Sequence, residues 1–326
     1  MKKIFQILGI LVVVSLIFLV VNNGQKNQSD NPGSITADSQ IDSQIISNSI
    51  ISLAKTGSVA TLLEDGGQLY IFNTHRQKYL KDSLLNFPNA TTFLGTSQPE
   101  NLIYYNATET KSGWYYFNLK SRQETKLNES ISIPTVSADG KRLIYIFNNP
   151  DQSQSLVVSD INGQNFNRIL NTEEGYEQLS WGPKETYVLG LDTLSVPPGW
   201  NLIYLSSKKE EQITNGYGES LWSPNGEQVL VDGLKNLELI AIETATSRST
   251  ATSSVALTTW INNEKFLNYD PTANQLNIFN QETLEIVDQI DWPTTQPTRL
   301  IGLEEGKLYF LAENTLAQID ISSILK

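Results

Sequence analysis

The chain has no cysteine, a single histidine and a single methionine among its 326 residues. Without cysteine there can be no disulfide, no thiolate metal site, no cysteine nucleophile and no lipid-modified N-terminal cysteine. One imidazole cannot build a multi-histidine metal site, and any histidine-dependent triad would have to use His75. His75 sits in Asn73-Thr74-His75-Arg76, a polar stretch that reads as an exposed turn. Basic residues are also scarce, 23 Lys and Arg against 35 Asp and Glu, for a formal charge of −12. Lys2 and Lys3 are the only charges among the first 21 residues, so the remainder carries −14, two more than the whole chain. Such a surface repels phosphate backbones and argues against a nucleic-acid partner. Several catalytic signatures are missing as well: G-x-S-x-G, Walker A, G-x-G-x-x-G, H-E-x-x-H and the EF-hand loop. An enzyme is therefore not the leading expectation, and no catalytic residue is assigned.

Only one long apolar run is present. Ile4 to Val21 is interrupted by Gln6, Gly9 and Ser15 alone and follows Met1-Lys2-Lys3. Eighteen residues at helical rise span about 27 Å, enough for a thin bilayer. Its basic flank places residues 1–3 in the cytoplasm and everything after the span outside, periplasmic or extracellular. No small-x-small cleavage site follows Val20-Val21-Asn22, so a retained signal anchor is expected rather than a cleaved signal peptide. Residues 22–48 begin with a stretch rich in Asn, Gln, Ser, Asp and Gly and read as a flexible linker.

From about residue 49 to 326 the sequence repeats. An apolar residue, two or three small or polar residues, a turn and an apolar run recur. The plainest copy is Trp222-Ser223-Pro224-Asn225-Gly226-Glu227-Gln228-Val229, beside Val136-Ser137-Ala138-Asp139-Gly140-Lys141-Arg142-Leu143. Markers fall at Leu53, Leu94, Val136, Trp181, Trp222, Trp260 and Leu303, at intervals of 41, 42, 45, 41, 38 and 43 residues. That period is one blade of a β-propeller. Within a unit, Asp139-Gly140 and Asn162-Gly163 separate Ile-, Val-, Leu-, Tyr- and Phe-rich runs of strand length. No helical period is sustained past residue 48. The expected fold is all-β: a propeller of seven four-stranded blades, with six as the alternative, behind one transmembrane helix. The last unit is short of an outer strand, and Ser39–Ile46 is the segment expected to supply it. Trp181, Trp222 and Trp260 stand at repeat markers and are expected in the core or between blades.

These units resemble the propeller repeats of the TolB-like and dipeptidyl-peptidase IV N-terminal family. Trp222-Ser223-Pro224-Asn225-Gly226 matches its blade-opening turn; Ser159-Asp160-Ile161-Asn162-Gly163 and Glu211-Gln212-Ile213-Thr214-Asn215-Gly216 match its later turn. The turns at Pro183-Lys184-Glu185 and Asn262-Asn263-Glu264 depart from the pattern. The resemblance implies a fold and leaves the activity open. Its members commonly have six blades, whereas the spacing counts seven units.

Ten to twelve residues after each marker, where a second strand ends, stand Glu64, Asn106, Asn148, Asp192, Asp232, Asp270 and Glu313. If the blades align, they form a mostly acidic ring on the face that carries the inter-blade loops. It could hold Ca²⁺ or dock a basic partner; equally, Asp and Asn are ordinary strand-ending turn residues. No other cofactor is expected. The loop Thr193-Leu194-Ser195-Val196-Pro197-Pro198-Gly199-Trp200 lies on that same face, and Trp200 serves either as an exposed anchor or as the start of a third strand. The functional expectation is a membrane-tethered, non-catalytic module or scaffold binding an envelope protein or peptide. The alternative is a propeller enzyme or carbohydrate or Ca²⁺ binder using the acidic ring.

Overall fold

Each repeat contains one apolar run with little polar alternation, such as Leu143-Ile144-Tyr145-Ile146, and these runs become strands buried on both faces. The structure, a computed structural model, describes residues 43–47, 50–56, 59–64, 69–73, 78–82, 90–96, 101–172, 175–250 and 254–325. All belong to the compact unit Gln40–Lys326. The segment 4–21, residues 22–42 of the linker and His75 lie outside them. Among the described residues no helix is long and apolar enough to cross a membrane.

Among the described residues the architecture is all-β apart from one 3₁₀ turn, Val255–Leu257. In chain order, β1 (Ser43–Ser47) precedes a four-stranded sheet of β2 (Ile50–Thr56), β3 (Val59–Glu64), β4 (Leu69–Asn73) and β5 (Lys78–Asp82). The next comprises β6 (Ala90–Gly95), β7 (Asn101–Asn106), β8 (Gly113–Asn118) and β9 (Gln123–Lys126). A third contains β10 (Ile131–Val136), β11 (Arg142–Asn148), β12 (Gln154–Asp160) and β13 (Asn167–Thr172). Seven strands follow in one continuous order: β14 (Tyr176–Trp181), β15 (Tyr187–Asp192), β16 (Gly199–Tyr204), β17 (Lys209–Trp222), β18 (Gln228–Gly233), β19 (Leu237–Ala241) and β20 (Thr246–Thr250). Then come β21 (Thr258–Trp260), β22 (Lys265–Asp270), β23 (Gln275–Asn280) and β24 (Ile286–Asp291). The last sheet is β25 (Arg299–Glu304), β26 (Lys307–Ala312) and β27 (Thr315–Asp320), with β1 as its fourth strand.

Every pairing is antiparallel between consecutive strands except that of β1 with β27, where Ser43 faces Ile319 and Ile45 faces Ala317. β17 joins two sheets because it is twice the usual length. Lys209–Asn215 pairs with β16, and Gly216–Trp222 pairs with β18. The first strands lie innermost, β2 against β6, β10 against β14 and β21 against β25. Outer strands such as β9 and β24 are largely exposed.

Apolar clusters weld each sheet to the next. Leu63 packs with Phe93 and Leu102; Leu94 and Ile103 with Val136 and Leu143; Ile144 and Ile146 with Tyr176 and Leu179. Leu189 and Leu191 meet Trp222 and Val229, Leu221 and Leu230 meet Trp260 and Phe266, and Leu267 and Tyr269 meet Leu300 and Leu308. The series returns to its start, because Leu311 and Leu316 of the last sheet pack with Ile50 and Leu62 of the first. The amide of Ile50 also donates to the carbonyl of Asn314 at 2.9 Å. Burial of this kind contributes about 1.5–3 kcal/mol for each large apolar side chain, against the entropy of ordering the strands.

The repeat markers explain themselves at these seams. Trp181, Trp222 and Trp260 are all buried. Trp222 Nε1 donates to Ser180 Oγ at 3.0 Å and Trp260 Nε1 to the carbonyl of Leu221 at 3.2 Å, each reaching back to the preceding sheet. The small residues after them close the turn. In both the Ser137 and Ser223 copies the serine hydroxyl donates to the residue two ahead, Asp139 at 2.7 Å or Asn225 at 2.8 Å. Gly140 and Gly226 then take positive φ, 73° and 67°.

Candidate functional site

Antiparallel pairing brings the end of each second strand, the start of each third strand and the crossovers between sheets to one face. The strand-ending residues all lie there, and most of their side chains accept or donate hydrogen bonds within the protein. Asn106 Oδ1 accepts the Thr108 amide at 3.0 Å, and Asp270 Oδ1 the amides of Thr272 and Ala273 at 2.8 and 3.2 Å. Asp192 is buried; it accepts the amides of Leu194 and Ser195 at 2.9 and 3.2 Å as well as the Ser195 hydroxyl. Asn148 bonds the Ser130 carbonyl and the Gln154 side chain. Glu64 accepts the Ser47 hydroxyl at 2.7 Å, tying β3 of the first sheet to the strand that completes the last. Glu313 occupies the exposed β26–β27 turn at φ 54°. Among the described residues no three Asp, Glu or His side chains stand together as metal ligands. The ring positions therefore share a face without forming a cation cage there. Of the two readings of Trp200, an exposed anchor or the start of a third strand, the second holds: it lies in β16 and is fully buried, its ring filling the seam with Leu189, Trp222 and Val229.

Asp232 is different from its counterparts. Its Oδ2 accepts the Glu219 amide at 2.9 Å and its Oδ1 the Val255 amide at 2.6 Å, so one carboxylate holds β17, β18 and the approach to β21. Burial pushes its carboxyl above the usual range and the nearby charge of Glu219 adds to the rise; the backbone donors and Ser254 oppose it. The strand passes very close. A Cβ on Gly218, at φ +83°, would stand 2.5 Å from Asp232 Oδ2. Glu219 in turn meets Arg299 in a two-pronged pair, with Nη1 to Oε2 at 2.7 Å and Nη2 to Oε1. Those partners are eighty residues apart, on the inner strands β17 and β25 with β21 between them. Nothing in the sequence pattern links them.

Beside this cluster the face turns apolar. Leu194, Val196, Tyr217 and Leu234 are 67, 96, 52 and 50% exposed. They occupy two loops and the stretch of β17 that runs between them. The Gly216 amide donates to the Pro198 carbonyl at 3.0 Å, and Gly216 faces Gly233 in the β17–β18 register. Tyr217 thus stands between the loop of Leu194 and Val196 and the loop of Leu234. The legible signal was an apolar residue flanked by glycine, proline or serine, as in Gly216-Tyr217-Gly218.

No protein-family model matches the sequence, and no curated protein matches it. Solved structures do match. An oligogalacturonate lyase from Vibrio parahaemolyticus aligns over 89% of this chain and 96% of that chain, at TM-score 0.60 and 12% identity. The β-propeller domain of Cps50 (Swd1) from Myceliophteria thermophila aligns over 86% of this chain and 100% of that chain, at TM-score 0.56 and 9% identity. The fold is a β-propeller. TolB from Acinetobacter baumannii also aligns, over 77% of this chain and 59% of that chain, at TM-score 0.46 and 12% identity. Identities this low establish the propeller architecture and leave activity to the site itself. The propeller expected from the repeats is the architecture observed.

Proposed function

We propose that this propeller is a non-catalytic binding module that docks an apolar protein or peptide segment on the face of Leu194, Val196, Tyr217 and Leu234. The observation that carries the reading is the concentration of four exposed apolar side chains on two loops and the β17 stretch between them. Large apolar groups clustered at a surface mark interaction sites, and loops held by a rigid sheet scaffold are where recognition concentrates. The sheets and their seams support seven blades, with β17 serving as outer strand of one and inner strand of the next. The apolar segment Ile4–Val21 supports a single-pass tether in the cytoplasmic membrane, with the propeller outside and its partner in the cell envelope. A Ca²⁺ site on the acidic ring is disfavoured, because Asp192, Asp232 and Asp270 each already accept two backbone amides.

The test is crosslinking capture from intact cells with the full chain, comparing wild type with a Leu194→Asp/Val196→Asp variant. Both residues are exposed, so the fold should persist, as an unchanged melting midpoint would verify. The partner captured by the wild type should be lost from the variant. Identical capture profiles, or no specific partner for either, would reject the reading. Calorimetry with Ca²⁺ is expected to give no binding heat.

A further inference from the structure

A second feature of the loop-bearing face lies on different sheets. The turn from β7 to β8 and the crossover from β9 to β10 border an open cleft of about 420 Å³, lined among others by Tyr105, Glu109, Ser112, Trp114, Lys126 and Glu129. That volume falls within the roughly 300–1,000 Å³ of small-molecule sites. Its walls are held before any ligand arrives. Asn106 Oδ1 pins the Thr108 amide at 3.0 Å, the Lys111 amide donates to the Thr108 carbonyl at 3.3 Å, and the Leu127 amide donates to the Trp114 carbonyl at 2.9 Å. Asn128 caps the crossover, accepting the Ser130 amide at 2.9 Å on its side chain and the Ile131 amide at 3.1 Å on its carbonyl. Gly113, at φ +137°, leaves the space beneath open; a Cβ there would stand 3.2 Å from the Lys126 stem. Preformed walls lower the ordering cost of binding.

The lining selects a chemical class. Tyr105 and Trp114 meet edge to face with centroids 5.2 Å apart, and the Tyr105 hydroxyl lies 3.1 Å from Ser112 Oγ. Lys126 is paired with Glu129 at 2.8 Å, which leaves Glu109 as an additional negative charge and disfavours an anion. A wholly apolar ligand would strand these polar groups. What fits is a molecule with a C–H face for the rings and hydroxyls for charged donors and acceptors. We propose that this cleft binds a neutral saccharide of one or two pyranose rings, seated on the Tyr105–Trp114 pair and bonded through its hydroxyls to Glu109, Lys126 and Glu129.

Saturation-transfer difference NMR tests this on the full chain in a sugar-free detergent, with cellobiose, maltose and N,N′-diacetylchitobiose as probes. At least one should show transfer to its ring C–H protons. Tyr105→Ser should weaken that binding by about 3–10-fold, the scale of one aromatic contact. Trp114 also packs against the core cluster of Leu94 and Ile103, so Glu109→Gln, at the surface, is the second variant and should also weaken binding. No transfer to any of the three sugars, or binding unchanged in both variants, would overturn the proposal. Leu194→Asp/Val196→Asp should leave saccharide binding intact, so the two sites stand or fall separately.

Discussion

Asp232 shows how one side chain can stand outside a repeating pattern. Its counterparts Asp192 and Asp270 close their own turns, whereas Asp232 accepts amides from Glu219 and Val255 on either side of it. Burial raises its carboxyl, with Glu219 adding repulsion and Arg299 occupied in pairing Glu219. A carboxyl raised in the folded state binds its proton more tightly there than in the unfolded chain. Its stabilising contribution is therefore complete below the ordinary aspartate value of about 4 and declines as pH rises through the raised folded value. Urea midpoints of wild type and Asp232→Asn, measured from acid to neutral pH, should diverge accordingly. The wild type should lose stability relative to the variant above about pH 4 and then level off. A difference that stays flat with pH would refute this account.

At the scale of strands and turns, the departures from the repeat are fasteners. Pro183-Lys184-Glu185 and Asn262-Asn263-Glu264 lack the serine-led turn, and each reaches the corresponding turn of the sheet before it. Glu185 Oε1 accepts the Asp139 amide at 2.9 Å and its other oxygen pairs with Arg142. Asn263 Oδ1 accepts the Asn225 amide at 2.9 Å; in the other direction, Lys184 reaches forward to Glu227 of the following turn at 3.0 Å. Repeat drift thus places a long or amide side chain where it can satisfy a neighbour's backbone donor. Glu185→Ala should cost about 1–3 kcal/mol by orphaning the Asp139 amide and the Arg142 charge. Glu185→Gln, which keeps an acceptor, should cost less. Chemical denaturation of both variants checks the order; equal losses would mean that the amide contact contributes nothing.

For the whole molecule, the decisive event is closure. β1 completes the last sheet alongside β27, Ile46 packs on the Ile50 and Leu316 cluster, and Ser47 bonds Glu64 of the first sheet. A chain starting at residue 49 should leave β27 as an open edge, which invites pairing with other chains. Relative to a chain starting at residue 40, its melting midpoint should fall by roughly 5–10 °C, the effect of losing about 2–3 kcal/mol in a large domain. Coincident melting of the two chains would show that closure does not depend on β1. Antiparallel pairing puts the β7–β8 and β15–β16 turns on the same face, so that the Tyr105 and Leu194 regions are both offered to the surroundings.

Much of this was legible in the residues. The period near 42 residues, the glycine turns and the unalternating runs determine antiparallel four-stranded units, because strand burial on two faces and positive φ each demand particular side chains. The tryptophan markers were readable as core for the same reason. The identity of the site was not. Whether a strand-ending carboxylate faces a ligand or its own turn depends on hydrogen-bond partners a few residues away that many side chains can supply. Trp200 and Tyr217 are both aromatic residues beside glycine, yet one fills a seam and the other faces solvent. The Glu219–Arg299 pair joins positions eighty residues apart. The local sequence therefore determines the blades, since their physics is local. Only the tertiary ring decides which loops meet and which charges pair, because those contacts join residues whose proximity no local pattern encodes.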